Sequence, residues 1–136
     1  MTDKIFVDSN VWLYIFLQDD ADKSNIAKKF ILDNIDTSIF ITYQVVNEVT
    51  NQLLRKKFSE KTIRNIIEYM YEIATIHNFS KEVMFLASSL REKHNLSMWD
   101  SLIVASALNF NCSILASEDM HDGLILGNMT IKNIFK

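Results

Sequence analysis

Short apolar runs alternate with longer stretches of helical periodicity along nearly the whole chain, and this alternation limits the fold more than any other feature. "KIFVD" (Lys4 to Asp8) is an apolar run ending in an acid and reads as a buried strand. "SNVWLYIFL" follows as a helix with Ser9 as its N-cap. Asp20 or Asp22 opens a second helix, in which Ile26, Ala27, Phe30 and Ile31 share a face. "SIFIT" (Ser38 to Thr42) is the next strand. Thr42 caps "YQVVNEVTNQLLRKKF" and Ser59 caps "EKTIRNIIEYMYEI". "IATIHNF" is a third strand, and Ser80 and Ser97 start two further helices. "CSILAS" is a fourth strand and "MTIKNIF" a short fifth. Strands separated by helices of ten or more residues are the pattern of βαβ units, so the expected class is α/β with a central parallel sheet.

The chain has 136 residues, enough for one domain with a sizeable core. Proline is absent, only Gly123 and Gly127 supply glycine, and no linker, repeat or low-complexity stretch divides the sequence. A single domain over residues 1–136 is expected. An apolar fraction of 49% with 23% charged residues excludes a disordered chain. Net charge is −3, so any basic surface for nucleic acid has to be local. "VWLYIFL" is strongly apolar, but Asp8-Ser9-Asn10 precedes it and "QDDAD" follows. Neither a signal peptide nor a membrane span of about 20 apolar residues fits it. The expected location is cytoplasmic, and the lone Cys112, set in an apolar run, reads as a small core residue in a reducing compartment.

In parallel sheets, ligands bind beyond the carboxyl ends of the strands, so residues just after each strand deserve the first look. Asp8 closes the first strand and Asp119 follows the fourth; Asp100 lies in the first turn of the helix after Ser97, and Glu48 lies in the helix after the second strand. Each has a plain reading. "SMWD" fits a capping box with Asp100 at its acidic position. Glu48 borders the face formed by Val45, Val46, Val49 and Leu53, and Asp119 suits a turn. Asp8 is the hardest to dismiss, because a carboxylate beside a core is costly unless paired or bound to a metal. If the four converge, their repulsion raises their pKa values, and a divalent cation removes that penalty. An all-carboxylate set suits Mg²⁺ or Mn²⁺ rather than zinc. One or two such ions activate water and stabilise the leaving oxygen of a phosphodiester.

"FVDSNVWLYIF", "VVNEV", "SMWDSLIVASAL" and "ILASEDMHDG" resemble, in order, the four acidic motifs of PIN domains. The likeness is closest to small stand-alone PIN proteins that act as VapC-type toxins of toxin–antitoxin pairs, and it covers essentially the whole chain. The resemblance implies an α/β/α sandwich and a Mg²⁺- or Mn²⁺-dependent endoribonuclease with an antitoxin partner, here expected as a homodimer. It assigns Asp8, Glu48, Asp100 and Asp119 to the metal site. Asn10 and Ser117 match positions that orient ligands or water, and Asp122 matches a frequent supporting acid. Glu118 falls at a variable position and reads as a solvated bystander. Gly123 stands where many relatives carry an aromatic.

Other constellations are weaker. His77, His94 and His121 are isolated, with no metal-ligand spacing. There is no glycine-rich phosphate loop, no nucleophile elbow and no second aspartate in "DSN" for an Asp-x-Asp phosphatase. "RKKFSEKTIR" sets Arg55, Lys56, Lys57, Lys61 and Arg64 against one acid. It is either a solvated connection between helices or a surface that tracks RNA phosphates. Methionines and aromatics at helical spacing read as core, and the apolar helices of the first half offer a dimer face or an antitoxin groove. A structure-specific DNA nuclease and a catalytically silent PIN-like binding module are the competing readings. The silent module is disfavoured by retention of all four acids.

Overall fold

The computed structural model describes residues 3–136. The elements run β1 (Lys4–Val7), α1 (Ser9–Leu17), α2 (Ala21–Asp33), β2 (Ser38–Thr42), α3 (Tyr43–Arg55), α4 (Glu60–Ile73) and β3 (Ala74–His77). They continue with α5 (Lys81–Lys93), α6 (Met98–Asn109), β4 (Ile114–Ala116), β5 (Ile125–Leu126) and β6 (Met129–Lys132). The strands form one sheet in the order β3-β2-β1-β4-β6-β5, parallel except for the β5–β6 pair. This is the expected α/β architecture.

Burial explains why β1 lies in the middle of the sheet. Ile5, Phe6 and Val7 are all buried, as a strand covered on both faces requires. From β1 the chain moves outward to β2 and β3 on one side, then returns across the sheet to β4 on the other. Right-handed crossovers therefore place α1 to α4 on one face and α5 and α6 on the opposite face. The packing agrees: α1 touches α2 and α3, α3 touches α4, and α5 lies along α6. Helix α6 also packs on β2 and β4, and its segment Ser101–Ala107 is buried all round.

Two details differ from the sequence reading. The cap of α1 is Asp8 rather than Ser9: its extended backbone and its carboxylate, which accepts the Ser9 N–H, terminate the helix. The sheet also has a sixth strand, β5, paired with β6 through Ile125↔Thr130 and Leu126↔Met129. Two residues are too few to show alternation. The turn dipeptide Gly127-Asn128 between apolar pairs was the available signal, and Gly127 adopts the positive φ of 58° that such a hairpin needs. Cys112 is buried, which pushes its thiol up to about 12, in keeping with an inert core residue. Among the described residues no helix is long and apolar enough to cross a membrane.

Candidate active site

The strand order reverses direction between β1 and β4, which makes their carboxyl ends the switch point of the sheet. The Asp8 N–H donates to the Ala116 carbonyl at 3.0 Å, extending the ladder to the last residue before the helix. Asp8 is thereby held at the rim with only 8% of its surface exposed. Its Oδ1 accepts the Ser9 N–H at 2.8 Å and its Oδ2 accepts the Ser117 hydroxyl at 2.9 Å. Burial is the main cause raising the Asp8 pKa from 3.8 to about 6; these hydrogen bonds oppose it, and the charges of Glu48 and Asp100 add to it.

Other segments bring further acids to the same edge. Glu48 sits on α3, where its two oxygens accept from the Ser9 hydroxyl and from Gln44 Nε2, each at 2.7 Å. Asp100 opens α6, capped by the Ser97 hydroxyl, which accepts the Asp100 N–H at 3.1 Å. Its pKa is raised first by burial and then by the nearby charges of Asp119 and Glu48, while Ser97 opposes the rise. Asp119 follows β4, and its Oδ2 accepts from Asn10 Nδ2 at 3.3 Å. Asn10 is a bridge: its Nδ2 also reaches the Ser117 hydroxyl at 3.4 Å, and its Oδ1 accepts the Glu118 N–H at 3.2 Å. One polar side chain on α1 thus fixes the loop after β4.

Glu48 and Asp100 therefore lie close enough to Asp8, and Asp119 and Glu48 close enough to Asp100, for their charges to add to the rise in those two pKa values. Among the described residues, however, no three His, Cys, Asp or Glu side chains stand close enough in their present rotamers to hold one ion. The donor set is nonetheless that of a hard cation: carboxylate oxygens from four segments, one of them desolvated. Thr42 Oγ1 and Gln44 Oε1 are also buried at this edge without a hydrogen-bond partner. The chemistry of the residues fits Mg²⁺ or Mn²⁺, and Glu48 and Asp119 are exposed enough to turn toward one.

Two members of the network were not singled out from the sequence. Ser9, the residue after the first acid, donates its hydroxyl to Glu48, and Gln44 holds Glu48 from one helical turn earlier, a spacing that was readable. Glu118 is no solvated bystander: it forms an ion pair with Lys23 and accepts the Tyr14 hydroxyl at 2.5 Å, which fastens the loop after β4 to α1 and α2. Asp122 points elsewhere, its Oδ1 accepting the Asn133 N–H at 2.7 Å. The five basic residues of the 55–64 segment are all exposed, and Arg55 lies seven residues beyond Glu48, about 10 Å along the axis of α3. His77 lies in β3 against Phe40 and Phe110, His94 caps α5, and His121 is exposed in the loop.

The sequence profile of the PIN domain matches residues 5–121, from the start of β1 to just past the last acid. The chain belongs to the PIN domain family. None of the curated proteins matches this PIN domain in sequence. Its backbone is similar to a chain of the VapBC2 complex from Rickettsia felis bound to a promoter DNA fragment, with a TM-score of 0.70 at 16% identity over 96% of this chain and 98% of that one. A toxin–antitoxin complex from Klebsiella pneumoniae is equally similar, at 0.70 and 16%, over 96% and 97% of the two chains. VapC20 of Mycobacterium tuberculosis, a toxin that cleaves the sarcin–ricin loop, is similar at 0.67 and 16%, over 82% and 86%. At these identities the likeness is one of fold.

Proposed function

We propose that this PIN domain is a metal-dependent endoribonuclease, the toxin of a toxin–antitoxin pair. The observation that carries the reading is Asp8: a buried carboxylate at the switch point, braced on both oxygens and facing further acids from α3, α6 and the loop after β4. Asp8, Glu48, Asp100 and Asp119 would hold one or two Mg²⁺ or Mn²⁺ ions. When bound, such an ion lowers the pKa of water and offsets charge on the phosphodiester oxygens. The chain's own residues do the rest. Ser117 keeps Asp8 in one rotamer, while Ser9 and Gln44 hold Glu48, and Asn10 holds Asp119, at the rim of the site, from which both would turn to reach an ion. The fold neighbours from toxin–antitoxin complexes, matched over nearly their whole length, support an antitoxin partner. A homodimer and a cytoplasmic site of action are part of the same proposal.

Cleavage of a structured RNA pool tests it. Activity should appear with Mn²⁺, vanish with EDTA, and fall more than ~100-fold in Asp8→Asn, because even outer-sphere changes at metal sites cost about 10- to 100-fold. Full activity in that variant would remove the proposed site. No cleavage with either metal, and intact capture of a protein partner, would favour a silent binding module.

A further inference from the structure

Beside the acids lies an open groove of about 590 Å³, most of whose lining the cleavage chemistry does not use. Three aromatic side chains line it, each from a different segment: Tyr43 at the start of α3, Phe79 in the loop after β3, and Trp99 in the first turn of α6. Asn47, Asn51 and Asn78 also line it, and Gln44 and Glu48 join it to the acid cluster. Trp99 is 55% exposed and Tyr43 44%, a costly placement for large rings unless something covers them.

The lining decides what fits. No lysine or arginine borders the groove among the described residues, and Glu48 adds a negative charge, so a phosphate is disfavoured there. Aromatic faces stack on any base, and asparagine amides offer a donor and an acceptor that match base edges. We propose that the groove receives an unstacked nucleobase of single-stranded RNA, one side of the scissile bond, while the phosphodiester lies over the acids. This rests on the ribonuclease reading for its orientation but not for its binding.

Trp99 makes the test direct, because the protein's other tryptophan, Trp12, is fully buried. With EDTA present to prevent cleavage, a short single-stranded oligoribonucleotide should quench Trp99 emission saturably, and an abasic strand of equal length should not. Trp99→Ala should weaken binding about 5- to 100-fold, with Trp99→Phe recovering most of it, as expected for loss of one stacked base. In Mn²⁺ the loss should fall on KM. Equal quenching by the abasic strand, or unchanged affinity and KM in Trp99→Ala, overturns the base site while leaving the nuclease intact. Base-dependent quenching without cleavage in any metal supports the groove and sinks the nuclease instead. No quenching by any RNA overturns the proposal and leaves the aromatics to a protein partner.

Discussion

Asp8 carries a cost that can be read by titration. Its folded-state pKa of about 6 lies above the ordinary 3.8, so the folded protein holds this proton more tightly than the unfolded chain. In the metal-free protein the acid therefore lowers stability as pH rises between about 4 and 6, and above that window the loss is on the order of 2–3 kcal/mol. Asp8→Asn keeps the shape, still accepts the Ser9 N–H, and lets the Ser117 hydroxyl turn to accept. Denaturant melts of the metal-free variant should show higher stability than the wild type at pH 7.5 and a flatter profile from pH 7.5 to 4.5. A variant less stable at pH 7.5 would mean that the carboxylate is structural. At this scale the sequence disclosed Asp8 and Asp119 because acids directly after apolar strands are conspicuous. Ser9 and Glu118 were not legible, since their partners lie 39 residues away in Glu48 and 95 away in Lys23.

Elements were legible wherever the pattern ran long enough to repeat. Helix α3 buries Val45, Val46, Val49 and Leu53 on one face, and Asp20, Ser59, Ser80 and Ser97 each cap a helix through the side chain. Thr42 occupies the cap position of α3 without making that bond. The miss was β5, where two residues gave no period. Helix α1 ends at Gln18 in the left-handed region, with φ of 55°, where a side chain is strained and glycine is not. Gln18→Gly should raise stability by about 0.5–1 kcal/mol in chemical denaturation. A loss of similar size would show that the side chain makes a compensating contact. The exposed turn between α3 and α4 gives a second expectation. Changing Lys56 and Lys57 together to Glu should weaken RNA binding and reduce its salt dependence if this turn follows the phosphate backbone. Identical binding curves at several salt concentrations would assign it to solvent.

For the whole molecule, the proposed metal site would link metal binding to stability. A cation that binds only the folded state should raise the melting temperature with concentration, by about 2.7 kcal/mol of stability at a hundred times its dissociation constant. Because the ion needs Asp8 ionised, that gain should shrink as pH falls below about 6 and be absent in Asp8→Asn. Thermal melts with and without Mn²⁺ at pH 7.5 and 5 would show it; an equal rise at both pH values would place the metal elsewhere. The four acids were legible as an ordered set, whereas the groove beside them was not, because its rings come from three segments joined only by the fold. The strand order carries one more consequence, for folding. Strand β4 joins β1 only after the chain has gone out to β3 and back, and Asp119 follows it. Without β4 the first strand is flanked on one side only, and Asp119 does not reach Asn10 beside Asp8. Completion of the acid cluster is therefore tied to the longest-range strand pairing at the centre of the sheet, so a substitution that slows docking of β4 on β1 should delay the whole site.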